Sequence, residues 1–492
     1  MKFRSLAPAP DDNPRTPPAQ ARLKFWAVVL FLAAHAILGP LMKLSSTVGT
    51  VHALATVFVG IFLALTTRQI ATVACVGAYI VGSEVFWRIS KAQVFWEIGK
   101  YSTSMIFLVA IVRFAKTKHI AIPVAFFLLL IPSAVPSFIG LDLSEAKERI
   151  SFNLSGPFSL AVCACFFIDL RFTREQHLRL LITMIGPLIG LSSLVLYSTA
   201  TASTLEFTGN ARGVNLTTSG GFGPNQVSAM LGLGTVLAFL IALNQTTTLK
   251  LKCLMFCAML LFATQSALTF SRTGIYLAGG AILLAAFYLW RDPRMRFTLG
   301  IMLAASILAA TLFVVPFLNH FTGGVLSERF KDTDPTGRDL ILKADLYTFL
   351  QHPVFGVGVG MAATYRQLFF SRAIEAHTEF SRLLAEHGVF GLFALVLMFS
   401  MAWTAMRQVR SPGAKAIVAT TLGWSFLFMA TSGMRLLAPS FLFGLAFARI
   451  HPNLALKPSP LKNMKKLRRK HLRRTPNLKS PTPIVSTPIS YP

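Results

Sequence analysis

The chain has 492 residues, of which 54% are hydrophobic and only 13% charged, with a formal net charge of +28. Soluble domains carry roughly twice that charged fraction, and a mean hydropathy of +0.60 excludes an ordinary water-soluble enzyme. The basic residues are scattered between apolar runs and in the tail, so they read as topology signals, and no nucleic-acid partner is expected.

In chain order, residues 1–23 are polar and Pro-rich and read as a disordered cytoplasmic leader. Apolar runs then recur at the length of membrane helices, about 17–25 residues. They lie near 24–42, 48–66, 70–88, 101–115, 119–139, 154–170, 180–199, 225–244, 252–270, 273–290, 297–317, 389–407, 415–431 and 436–450. The expected fold is therefore all-α and polytopic, with about 12–14 transmembrane helices. Lipid cannot satisfy backbone polar groups, which leaves helices as the spanning elements. Residues 24–317 and 389–450 hold the spans, and 318–388 form one long loop. Residues 451–492 are a basic, then Pro/Ser/Thr-rich, cytoplasmic tail, suited to anchoring topology or to anionic lipid headgroups. Counted along the chain, about two thirds of the basic residues fall on alternate connections and the termini, which puts both termini in the cytoplasm and residues 318–388 outside. Cys75, Cys163, Cys165, Cys253 and Cys257 sit in or beside apolar runs and imply no disulfide framework.

Three polar motifs fall on the outer side under this topology. "GNARGVNLTTSGGFGPNQVS" (209–228) leads into the eighth span. Its glycines free the backbone, Pro224 suits the first helical turn, and Asn225 opens a helix N-terminus, which is a ready anion site. "TFSRTG" (269–274) places Arg272 at or just inside the bilayer edge, where an arginine either snorkels or meets an anion. The long loop supplies the third. "GRDLILKADLYTFLQ" predicts an amphipathic helix with Thr336 as N-cap, Pro353 as stop, and Leu340, Ala344, Tyr347 and Leu350 on one face. "HPVFGVGVGM" is a glycine-rich turn, and "HTEFSRLLAEHG" a second short helix closed by Gly388. Together they would form a lid. His377 stands at the start of the second helix, where a positive helix end keeps an imidazole neutral and fit for general-base work. Glu379, Arg382 and Glu386 follow at helical spacing and could form a solvated ion-pair ladder. Asp332, Asp334 and Asp339 make a weak metal motif because no second histidine is suitably spaced, so no metal is expected.

In this order and spacing, "GGFGPNQ", "SRTG", "GR…LQHPVFGVGVG" and "AHTEFSRLLAEHGVFGL" resemble the O-antigen ligase/O-antigen polymerase superfamily across roughly residues 205–450. The resemblance implies a multi-pass glycosyltransferase of the bacterial inner membrane. Its donor would be a glycan on undecaprenyl diphosphate, and its acceptor a hydroxyl on a glycan or on the lipid A-core. No cofactor is implied. His377 takes the place of the family's loop histidine, the proposed base, and Arg272 that of the arginine in its S-R-x-G motif. Arg212 matches the arginine upstream of the glycine–asparagine turn, and Arg338 the one that opens the loop helix. Asn225, Glu379 and Arg382 would complete the substrate-binding set. The position after the histidine is often asparagine in the family and is Thr378 here, which leaves ligase and polymerase both open. A polysaccharide-lipid flippase is the alternative from another class. It would place ionisable residues or broken helices near the midplane, in two related halves.

Overall fold

A computed structural model describes residues 24–116, 118–202, 216–331, 337–370 and 374–451. The expected leader, the tail, Arg212, Asp332, Asp334 and Thr336 lie outside them. The first helices are α1 (Phe25–Leu44), α2 (Ser46–Thr66), α3 (Ile70–Ile89) and α4 (Ile98–Arg113). The short α5 (Ala121–Leu128) and α6 (Ala134–Gly140) lead to the long α7 (Leu143–Phe167) and α8 (Arg174–Ala200). Then come α9 (Pro224–Leu243), α10 (Leu249–Leu268), α11 (Thr273–Leu289) and α12 (Pro293–Ala309). The loop region holds α13 (Val315–Phe321), α14 (Val325–Lys331), α15 (Arg338–Gln351) and α16 (Ala362–Tyr365). It returns through α17 (Glu379–Gln408), α18 (Pro412–Thr431) and α19 (Leu437–Leu445). The one small sheet among the described residues pairs β1 (Arg171–Thr173) in parallel with β2 (Arg449–His451), Arg171 opposite Arg449.

Ten of these helices, counting α12 and α13 as one, are long and apolar enough to cross a membrane, and α11 adds a shorter apolar helix of 17 residues. This all-α polytopic architecture matches the sequence expectation, with two local corrections. The run at 119–139 is broken into α5 and α6, because Pro132 between them withholds a backbone donor. The run at 436–450 is a nine-residue helix that stops to let β2 pair with β1. Conversely, α12 continues into α13 through a π-helical stretch at Ala310–Val314.

The core forms around α9, which is buried along most of its length and packs on α10 and α11. α1, α2, α12 and the π-helical stretch after it instead turn Trp26, Phe58, Phe62, Phe297 and Phe313 outward, as lipid-facing helices do. The two ends of the bundle differ in charge. Arg68, Arg113, Lys116, Arg174, Lys250, Lys252, Arg291, Arg407 and Lys415 all fall at the end where α2, α4, α9 and α17 finish and α3, α10, α12 and α18 begin. The polar motifs gather at the opposite end.

In the long loop, α15 forms where the sequence predicts it, but its buried face is one residue away from the expected one. Ile341, Ala344, Asp345 and Thr348 are buried, whereas Leu340, Tyr347 and Leu350 are exposed. The reason is polar: Asp345 turns inward to meet Arg366 and Ser381. Gly388 breaks α17 as expected, with φ 57°, but the helix resumes beyond it. The glycine-rich turn lies on this break. Val357 and Gly358 donate to the carbonyls of Ala385 and Glu386 at 3.0 and 3.2 Å, and Val389 donates to Pro353 at 2.7 Å. The turn thus caps backbone groups that the break leaves open.

Candidate active site at one end of the bundle

The first two motifs meet in a seam between α9 and α11. Gly274 approaches α9 so closely that a Cβ there would lie 1.9 Å from the Ser228 carbonyl oxygen. The Ser228 hydroxyl accepts the Gly274 N–H at 3.0 Å and donates to the Ser271 carbonyl at 3.0 Å. The Ser271 hydroxyl donates to Asn225 Oδ1 at 2.7 Å. "GPNQVS" and "SRTG" are therefore two halves of one unit, and Asn225 serves by holding the second half. Between them, Phe270 adopts φ 57°, a left-handed conformation rare for a bulky residue and concentrated at functional sites. Its carbonyl accepts from Arg329 Nε at 3.4 Å.

This seam fixes Arg272, which stands half-buried at the N-cap of α11. Arg272 and Arg329 lie close enough to Arg338 at the start of α15 that, after burial, their charges are what lower its pKa. Three arginines from separate segments thus converge. His377, in the irregular segment just before α17, shares Arg338 with this cluster. Burial, then the guanidinium groups of Arg338, Arg435 and Arg366, hold its pKa down at about 4. At neutral pH the imidazole is uncharged. The causes are a partly dry and then a cationic setting, in place of the expected α17 helix end.

Glu379 and Arg382 sit elsewhere than expected. Both point into the protein, 0% and 6% exposed. Arg382 Nε and Nη2 reach the Glu379 carboxylate at 3.0 and 2.5 Å, and Nη1 reaches Glu386 at 2.7 Å. The ladder is a buried one and not solvated. Glu379 Oε2 also accepts the Met434 N–H at 3.0 Å. A carboxylate so occupied and so enclosed holds the frame and is poorly placed to meet a substrate. Thr378 caps α17, its hydroxyl accepting the Ser381 N–H at 3.1 Å. Arg366 pairs with Asp345 at 2.6 Å, each side chain 1% exposed, tying the lid turn to α15, and Ser381 ties α17 to the same carboxylate.

Among the described residues, no group of three or more His, Cys, Asp or Glu side chains is placed to hold a metal ion. Asp332 and Asp334 lie outside the described residues, as does Arg212. Residues 257–396 match the family model described as O-antigen ligase. The chain carries an O-antigen ligase domain. That domain holds the Arg272 turn, the lid, His377 and the break at Gly388. The match supports a membrane glycosyltransferase of the O-antigen ligase/polymerase kind. No curated protein matches the chain.

Outside the O-antigen ligase domain, buried charged residues that were not among the expected site residues tie α3 and α4 to α9 and to the link between α18 and α19. Glu84 and Arg88 on α3 pair at 2.9 Å, and Lys100 on α4 pairs with Glu97. Arg88 Nη1 donates to Gln226 Oε1 at 3.2 Å and to the Arg435 carbonyl at 3.1 Å. The signal was present as a Glu and an Arg four apart inside an apolar run, a pair that lipid would not tolerate unpartnered. Arg435 itself was hidden in the short link between the last two runs.

Proposed function

We propose that this protein transfers a glycan from undecaprenyl diphosphate to a sugar hydroxyl, as an O-antigen ligase with the lipid A-core as acceptor. The observation that carries the reading is the neutral imidazole of His377 facing a cluster of arginines at one end of a membrane bundle. A glycosyl diphosphate already has an activated leaving group, so two tasks remain. The departing diphosphate must be stabilised, and the incoming hydroxyl must lose its proton. Arg272 and Arg338, with Arg212, supply forked donors for the diphosphate oxygens. The acceptor oxygen attacks the anomeric carbon, the bond to the diphosphate oxygen breaks with its electron pair, and the hydroxyl proton passes to His377. One displacement inverts the anomeric centre. The chemistry calls for no cofactor or metal.

The site would face the periplasm, with the protein in the inner membrane and both termini in the cytoplasm. The basic end of the bundle supports this orientation. Reporter fusions at Leu326 and after Lys479 should then report opposite sides, and agreement between them would overturn it. A polymerase of the same superfamily differs only in the acceptor. Thr378 does not favour it, because its part here is to cap α17, which asparagine does equally well. The deciding test is glycan transfer from lipid-linked donor by purified, membrane-inserted protein. His377→Ala should lower turnover about 10²–10⁴-fold while donor binding survives. A variant that keeps half the wild-type rate would remove His377 as the base.

A further inference from the structure

The link Ser432–Leu436 between α18 and α19 is held in an unusual way. Lys100 Nζ donates to the Met434 carbonyl at 3.2 Å, and Arg88 to the Arg435 carbonyl at 3.1 Å. Glu379 accepts the Met434 N–H at 3.0 Å, and Glu84 accepts the Leu437 N–H at 2.7 Å. The four side chains come from α3, α4 and α17 and are between 0% and 9% exposed. From α7, Gly156 leaves no room for a Cβ, which would lie 2.6 Å from the Met434 carbonyl oxygen. Taking ions out of water is costly even when they are paired. A link this short could be fixed by apolar packing alone. The charged groups instead fix the backbone on both sides of one residue, Arg435.

Arg435 is the part of this link that reaches outward. Its side chain is 30% exposed and donates through Nη2 to Glu375 Oε2 at 2.7 Å, and Glu375 is 63% exposed. Glu375 lies two residues before His377. The guanidinium, on a fixed backbone, thus stands near the candidate base, and its salt-bridge partner among the described residues is a solvated carboxylate; such exposed pairs are weak.

We propose that Arg435 is a further substrate-binding residue, whose guanidinium takes oxygens of the donor's diphosphate in place of Glu375, with Arg88, Lys100 and Glu84 as the residues that position it. This rests on the reading of the site as a diphosphate-dependent glycosyltransferase. A forked guanidinium fits two phosphate oxygens, and its backbone cannot drift because both of its flanks are hydrogen-bonded to buried ions. Glu375 acts as an internal competitor that keeps the arginine extended until the anion arrives.

The test is binding of undecaprenyl diphosphate to the full-length protein in nanodiscs, with undecaprenol as the phosphate-free comparison. Arg435→Ala should weaken diphosphate binding about 10–100-fold, the size of one charge-assisted contact, and leave undecaprenol binding unchanged. Glu375→Gln should tighten diphosphate binding about 2–5-fold, because it removes the competitor. A merely structural ion pair requires the opposite or no effect. Wild-type affinity in Arg435→Ala, or unchanged or weakened binding in Glu375→Gln, overturns the proposal while the function of the site stands. If wild-type protein prefers undecaprenyl diphosphate no more than undecaprenol, the reading of the site falls and the proposal with it. Should Arg435→Ala fail to insert, the Glu375→Gln arm decides alone, since that exposed side chain can change without disturbing the fold.

Discussion

The substitution Gly274→Ala tests whether the seam between α9 and α11 sets the position of Arg272. The added Cβ would lie 1.9 Å from the Ser228 carbonyl oxygen and 2.3 Å from the Ser266 hydroxyl, whereas real Cβ contacts essentially never fall below 3.0 Å. The first of these is helix backbone and cannot swing aside, so the helices must part by about 1 Å at this level. That movement strains the Ser228–Gly274 hydrogen bond and carries the N-terminus of α11 away from α9, together with Arg272 two residues earlier. A displacement of about 1 Å at a catalytic group is enough to cost roughly 100-fold in rate. Lost packing should also lower stability by about 1–3 kcal/mol, the usual result of overpacking. The assay is glycan transfer by expression-matched, membrane-inserted protein, with thermal unfolding measured on the same preparation. Wild-type turnover in well-folded Gly274→Ala protein would show that Arg272 does not depend on this seam.

The buried ion pairs give two further expectations. Asp345→Ala leaves Arg366, 1% exposed, without its carboxylate. It should cost about 3–5 kcal/mol, visible as a lowered midpoint in denaturant titration of solubilised protein, and an unchanged midpoint would mean that the pair is not enclosed. Glu379→Gln should likewise act through stability, since its carboxylate serves Arg382 and Met434. The pH dependence of turnover in the surviving folded fraction should match wild type, and loss of its acid limb would identify Glu379 as the base.

The apolar runs were legible because their period and length follow from the bilayer, and most of the predicted spans return as helices within a few residues. The breaks at Pro132 and before β2 were not, because run length registers hydropathy and misses a lost backbone donor or a tertiary strand pair. α15 illustrates the same limit at finer scale. Its sequence offers Leu340, Tyr347 and Leu350 as the apolar stripe, yet the helix turns Asp345 inward, since Arg366 lies 21 residues away in sequence and no local pattern announces it. His377, Arg272 and Arg338 were readable as an odd histidine and odd arginines beside membrane spans. Arg382 and Glu379 were readable as a charged ladder, but whether a ladder faces water or protein depends on what packs over it. Here Asn153 and the Met434 link cover it.

The arginines around His377 have a consequence for when it becomes a base. Its pKa of about 4 lies below the ordinary 6.5 first because the ring is partly buried and then because Arg338, Arg435 and Arg366 repel a proton. The sign for folding follows directly. Between pH 6.5 and about 4 the unfolded chain binds a proton that the folded one refuses, so this residue's contribution to stability is highest above 6.5 and falls as pH drops toward 4. For catalysis the low value cuts both ways, since the imidazole is neutral at pH 7 but weakly basic. Donor binding changes one cause and leaves the other. A diphosphate among the arginines cancels much of their field, so the histidine's pKa rises in the complex and its basicity increases when the leaving group is in place. The rate constant kcat reports groups in the complex and kcat/KM those in the free enzyme. The acid limb of kcat/KM should therefore lie near pH 4, and that of kcat at higher pH. Arg338→Ala should move the free-enzyme limb upward, because it removes the first of the three repelling charges. Limbs that coincide near pH 4 would mean that the donor's charge does not reach these arginines. A free-enzyme limb near pH 6.5 would mean that the cationic cluster does not act on His377 at all.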